Sequence, residues 1–347
     1  MEAADLLKEL LGIPSPSGRE NEIGEFLAKR LEKKFDVKKQ RVGDRFNVLA
    51  TKGTPRLLFT THMDTVPKHL EIKEDADFIY GRGACDAKGP LACMVCACET
   101  AADKGLRDFG MLFDVGEEDD FCGIIEAIKT VEPEQVIVGE PTGFKVAYGQ
   151  KGLLLLKVRC AGKSAPGATP ERGISAIQSL IGILGKLAEI ELPKDKLLGV
   201  TTMNIGEIRG GTAPNIVPDY AEALIDVRTA TPNDNVLRAL GAVIPGDCLE
   251  VVYQYDAVVN DDAGFAERFG LEKTTVPYFT EMYFWTRAKN ARAVGPGDYA
   301  YAHSGEERIR KDDLARGAEL YLKIIGEYCA HSSREDKKRR AAGNDAR

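Results

Sequence analysis

FDVGEEDD, residues Phe113 to Asp120, decides how the chain is read. The apolar run MLFDV stops at Gly116 and four carboxylates follow at once, the pattern of a buried strand that ends in a cluster of oxygen ligands. Neighbouring glutamates at a strand end point in different directions, so Glu117 and Glu118 can divide two tasks, one holding a cation and the other handling protons. Asp119 and Asp120 carry no assigned chemistry beyond capping the helix that follows.

The same arrangement recurs on either side. RLLFTT runs into His62-Met63-Asp64, and EQVIVG delivers Glu140 just before Pro141. In open α/β sheets the ligand site lies beyond the carboxyl ends of the strands, and all three strands end in possible ligands. Asp86 joins them from the glycine-bounded loop ACDAKGP, which feeds a helix through Pro90. GPGDYAYAHSGEERI brings in His303.

These candidates are two imidazoles and three carboxylates, with Glu117 left over. Nitrogen and oxygen donors without thiolate suit zinc, and cobalt or manganese also fit the set. Five protein ligands are too many for one open catalytic zinc, whereas two metals sharing a carboxylate use all five and leave room for a bridging water. Asp86, on its constrained loop, is the candidate bridge. Asp64 can accept the other imidazole N–H of His62 and fix its tautomer. Glu117 is then the general base of a metal-assisted amide hydrolysis.

Each feature alone has a plainer reading. HxD is commonly a surface pair, GEEDD a solvated acidic turn, an Asp near glycine a turn residue, Glu140 a strand-end cap and His303 a satisfied loop histidine. Their convergence on one edge of one sheet favours the site.

A chain of 347 residues exceeds the usual single-core size, so two domains are expected. A hydrophobic content of 44 % with 29 % charged residues is ordinary for a globular protein. The formal net charge of −7 argues against nucleic acid as the main partner. No apolar run approaches the roughly 20 residues needed to cross a bilayer, and the amphipathic N-terminus lacks the features of a signal peptide. The cytoplasm is the expected location. The eight cysteines read as reduced thiols. Cys93, Cys96 and Cys98 fall on one helix as small buried residues, and Cys85 reads as buried rather than nucleophilic. RENEIGEFLAKRLEKKF is a second helix near the start, with Ser17 placed to cap it.

Residues 1–151 and 263–330 form the expected catalytic, metal-binding domain. Between them, 152–262 reads βαββαβ, the ferredoxin-like split unit, as an inserted domain. The tail 331–347, HSSREDKKRRAAGNDAR, lacks an apolar stripe and is expected to be disordered.

Taken together, THMDTVP, GRGACDAKGPLA, DVGEED, VGEPTG and GPGD followed by AH and EERI resemble the dinuclear zinc amidohydrolase and peptidase family. That family contains acetylornithine deacetylase, succinyl-diaminopimelate desuccinylase, glutamate carboxypeptidases and the amino-carrier-linked lysine hydrolase. The similarity covers residues 5 to 329. It implies an α/β, zinc-peptidase-like catalytic domain with a mostly parallel sheet and an inserted ferredoxin-like α+β lid and dimerisation domain. It further implies two Zn2+, one on His62 and Glu140, the other on Glu118 and His303, with Asp86 bridging and Glu117 as base. A homodimer through the inserted domain is implied too. GGTAPNIVPD and LIDVRT match the family's lid motifs, which implies that Asn215 and Arg228 hold the substrate's carboxylate; a guanidinium fork suits that task. Gly295 and Gly297 either offer backbone amides to the same ligand or form a tight turn.

One departure stands out. The family commonly has a lid histidine that reaches across the dimer to the scissile carbonyl. This chain reads AGKSAPGATPE, with Pro166 at that place and no histidine anywhere in 152–262. Proline cannot donate a hydrogen bond, so either Ser164, Lys163, Asn215 or another donor substitutes, or turnover is slower or the substrate unusual. The wording of the motifs points to a deacylase of N-acyl amino acids in arginine or lysine biosynthesis, in the latter case with an acidic amino-carrier protein as partner. The alternative in the same family is a dipeptidase or carboxypeptidase. A metal-binding homologue with reduced or lost turnover is the alternative of a different class.

Overall fold

A computed structural model describes residues 2–260, 264–285 and 290–344, with side chains through Cys329. The chain divides into two compact units, Met1–Tyr148 with Asn260–Thr274 and Thr280–Arg347, and Gly149–Val259 with Thr275–Phe279.

In the first unit the strands Leu57–His62 and Phe109–Asp114 are buried at every residue, and Gln135–Val138 at all but its first. A strand covered on both faces needs no polar alternation, which is why LLFTTH, FGMLFD and QVIV read as apolar runs. They pair in parallel with Leu57–His62 in the middle, and Asn290–Ala293 adds in parallel to Gln135–Val138. Arg45–Lys52 joins Phe109–Asp114 antiparallel and carries Asp36–Val42 outside it. The sheet is therefore parallel where the candidate ligands leave it and antiparallel beside that.

Helix Lys88–Asp103 is buried on nearly every side and holds Cys93, Cys96 and Cys98 as free, buried thiols. Helix Ala3–Leu11 and the final helix pack against it. Leu6, Leu7 and Leu10 are fully buried in this layer, each worth about 1.5–3 kcal/mol over an exposed side chain. The second helix runs Asn21–Leu31 without a side-chain cap. Ser17 does not cap it; its hydroxyl donates to Asp64 Oδ2 at 2.6 Å, because the PSPSG turn folds back onto the His62–Asp64 segment. The final helix, Lys311–Asn344, continues past the point where the apolar stripe ends. Glu, Lys, Arg and Ala are good helix formers and need no stripe to extend an existing helix.

The second unit runs strand Gly152–Ala161, helix Ala176–Leu187, strands Thr202–Gly210 and Tyr220–Thr229, helix Asn233–Gly241 and strand Leu249–Tyr255. Its sheet places these strands in the spatial order second, third, first, fourth, all antiparallel. That is the ferredoxin-like order. Leu154, Leu156, Val158, Ala223, Ile225 and Val227 alternate inward to form its core with the two helices. Thr202–Gly210 is left as an edge strand, exposed over nearly its whole length.

Candidate metal centre

Parallel register brings the C-terminal strand ends level. His62 lies opposite Asp114, Thr60 opposite Val138, and the Gly139 amide donates to the Thr60 carbonyl at 2.8 Å. The residues just past these ends therefore leave one edge of the sheet together.

His62, Asp86 and Glu140 present donor atoms within 4.8 Å of one another, and Asp86, Glu118 and His303 do the same. Asp86 serves both groups with different oxygens. Its Oδ1 lies 3.0 Å from His62 Nε2, and its Oδ2 lies 3.5 Å from His303 Nε2. His303 Nε2 is also 2.9 Å from Glu118 Oε1. All five expected ligands are thus brought together. His69 is exposed and belongs to neither group.

Asp64 organises the approach to the site. The Nδ1 of His62 lies 3.0 Å from the Asp64 carbonyl and 3.4 Å from its Oδ1. The Asp64 carboxylate also accepts the amides of Glu117 and Glu118, at 3.1 and 3.0 Å. Gly116 makes this possible. Its φ of +75° turns the chain sharply at the strand end, and a Cβ there would come within 2.8 Å of Asp120 Oδ1. Asp120 in turn accepts the Cys122 amide at 3.0 Å and caps the next helix, while Asp119 stays exposed.

Crowding of carboxylates sets the electrostatics. Burial pushes the Glu117 carboxyl well above the usual range; His62 opposes this, and Glu140, Glu118 and Asp86 add to it. Burial likewise raises Glu140 and Glu118, with Asp86 the next cause in each. For His62 burial works downward, yet hydrogen bonds to Asp64 and Asp86 and the charge of Glu117 together hold the imidazole well above its ordinary value.

The donor set fits two divalent cations. Glu140 Oε1 is buried with no hydrogen-bond partner among the described residues, as expected of an oxygen reserved for a metal. Three ligand carboxylates and the adjacent Glu117 also concentrate negative charge that cations would balance.

The four expected substrate contacts fare differently. Gly295 does not offer its amide to a ligand. That N–H donates to Thr142 Oγ1 at 3.1 Å, and a Cβ would lie 2.6 Å from the Glu140 carbonyl oxygen, so the residue is glycine to let the Glu140 segment pass. Gly297 has φ +94°, and a Cβ there would lie 3.0 Å from Cys85 Sγ. Within the second unit, Asn215 is exposed and Arg228 is half-buried. The guanidinium is already held bidentately, Nε to Asp226 Oδ1 at 2.8 Å and Nη2 to Oδ2 at 2.9 Å. Pro166 bridges Ile216 in extended backbone, and the Ser164 hydroxyl is committed to Asp219 at 2.7 Å.

Sequence reasoning missed three contributors. Ser17 was read as a cap and instead bonds Asp64. Asp114 lies buried beside His62, its carboxyl pushed well up by burial and by Glu281. Glu307, quoted only as part of EERI, reaches back to the Asp86 loop.

Comparison with known proteins places this geometry in a family. Residues 58–327 match Peptidase family M20/M25/M40. A probable carboxypeptidase of Aspergillus clavatus is 32 % identical, over 92 % of this chain and 86 % of its own. An M20 family metallo-carboxypeptidase from Sulfolobus solfataricus superposes with a TM-score of 0.75 at 19 % identity, covering 95 % of this chain and 100 % of its own. A tripeptidase from Staphylococcus aureus gives a TM-score of 0.75 at 23 % identity, over 94 % and 98 %. Strand-end ligands, inserted ferredoxin-like unit and sequence match agree: the chain belongs to the M20/M25/M40 peptidase family.

Proposed function

We propose that the chain is a metal-dependent peptidase of carboxypeptidase or dipeptidase type, hydrolysing the amide bond that precedes a free carboxylate. The observation that carries this is the pair of ligand groups sharing Asp86, with Glu117 beside them and in neither. The deacylase reading suggested by the motifs has less support, since the Aspergillus relative described as a probable carboxypeptidase matches over 92 % of this chain.

Two divalent cations, zinc or its chemical neighbours cobalt and manganese, would be held by His62, Glu140, Glu118 and His303 with Asp86 between them, and they supply Lewis acidity towards the carbonyl and towards water. Glu117 takes a proton from the water whose oxygen attacks the carbonyl carbon. As the C–N bond breaks, the same carboxyl returns that proton to the amine nitrogen, giving a free amine and a carboxylic acid, which ionises and passes its proton to the amine or to solvent. Burial and the neighbouring carboxylates raise the Glu117 carboxyl, and two bound cations would oppose that rise. Asp64 keeps His62 in one tautomer and holds the Glu117 and Glu118 amides in place.

Assays on blocked dipeptides, free dipeptides, N-acetylornithine and N-succinyl-diaminopimelate test the substrate class. Peptides with a free C-terminal carboxylate should be the best substrates. Preferential hydrolysis of the acyl amino acids would return the deacylase reading, and no hydrolysis of any would favour a binding protein.

Arg228 remains the candidate for the substrate carboxylate, since Asp226 occupies only its Nε and Nη2 edge. Arg228→Ala should raise KM about 10- to 100-fold for free-carboxylate peptides and leave C-terminal amides little changed. Equal effects on both would remove the assignment. Pro166→His should raise kcat by as much as ~100-fold if the position lacks an oxyanion donor; unchanged kcat would assign that donor elsewhere. The expected homodimer keeps a physical basis in the exposed Thr202–Gly210 edge, whose backbone groups are open to pairing. Light scattering on the purified chain tests it.

A further inference from the structure

Glu307 follows His303 by four residues and is only 1 % exposed. Its Oε1 accepts the backbone amides of Gly83, Cys85 and Asp86 at 3.0, 3.2 and 3.1 Å, and Arg82 Nη1 donates to Oε2 at 2.6 Å. The Gly81 amide donates to the Glu307 backbone carbonyl at 3.1 Å. A buried carboxylate persists where charge-assisted bonds replace its water. Here those bonds go to a single stretch, residues 82–86, and that stretch ends in the shared ligand. Arg82 extends the tie, its Nε donating to the Lys68 carbonyl at 3.2 Å.

We propose that Glu307 is the positioning residue that fixes Asp86 between the two cation positions. The segment 303–307 then acts on both. It supplies His303 directly to one position, and through Glu307 it sets the oxygens of Asp86 for the one and the other. The position built from His62 and Glu140 takes no ligand from 303–307, so any dependence of that position on Glu307 must pass through Asp86. This assignment rests on the metal-centre reading above.

Calorimetric titration of the metal-free full chain with Zn2+ tests it, with circular dichroism and thermal unfolding of the metal-free protein as controls for folding. Wild type should bind two ions. Glu307→Gln keeps an oxygen for the three amides but turns an N–H towards Arg82. It should weaken both positions about 10- to 100-fold, the range for partners that orient metal ligands. His303→Ala should weaken mainly one. A folded Glu307→Gln protein that binds both ions as tightly as wild type, or that loses only the position His303 serves, would overturn the proposal. Should Glu307→Gln fail to fold, Arg82→Gln removes the Oε2 partner together with the Lys68 tie, leaves the three amide bonds of Oε1 in place, and carries the same test: weakening at both positions supports the proposal and unchanged affinity at both overturns it. A wild-type chain that binds fewer than two ions would overturn the metal-centre reading, and this assignment with it.

Discussion

Glu117→Gln is expected to lower kcat about 100- to 10,000-fold while metal content and KM stay near wild type. The amide is the same size as the carboxylate and the Glu117 backbone N–H still reaches Asp64, so the turn that presents Glu118 is undisturbed. What changes is the ability to accept and return a proton. Glu117 belongs to neither ligand group, so its loss should be felt in turnover and not in binding. Parallel metal analysis and steady-state kinetics check this. Wild-type turnover in the variant would remove Glu117 as the base, and loss of metal would make it a ligand.

Asp86→Ala should have the broadest effect on the centre. Asp86 is the one residue common to both ligand groups, facing His62 through Oδ1 and His303 through Oδ2. Removing it takes one ligand from each position and leaves two imidazoles and the Glu118 and Glu140 carboxylates without their shared partner. Tight binding should be lost at both positions, and activity should fall to background. Glu140→Ala and His303→Ala should each impair one position more than the other. Two ions held at wild-type affinity in Asp86→Ala would end its assignment as the bridge.

The metal centre was legible because its logic is local and repetitive. LLFTTH, MLFDV and VIVG are continuous apolar runs, which mark strands covered on both faces, and each stops at a possible ligand. Counting donors then gave more ligands than one open metal site takes, which pointed to sharing. The βαββαβ order of the inserted unit followed from the periods of its segments and is the order observed. Ser17, Gly295 and Glu307 were not legible in the same way. Their partners are Asp64, Thr142 and the Asp86 loop, 47, 153 and 221 residues away in the chain. No periodicity links a residue to a backbone amide so distant, and each type has a commoner local role as cap, turn or surface acid.

Substrate class was the least legible feature. THMDTVP, GRGACDAKGPLA and DVGEED build the ligand set and the base, and that chemistry serves a peptide bond and an acyl amide alike. Selectivity rests on other residues. Arg228 is one candidate, and without the family resemblance its LIDVRT strand reads first as carrying a surface ion pair. The structure shows such a pair with Asp226, through Nε and Nη2.

The central claim is a two-cation centre bridged by Asp86. Elemental analysis of the wild-type chain, saturated with Zn2+ and then freed of loosely held metal by desalting, tests it most directly. The account predicts close to two zinc ions per chain, falling together in Asp86→Ala. One ion or none in the wild type, or two that are indifferent to Asp86, would contradict it.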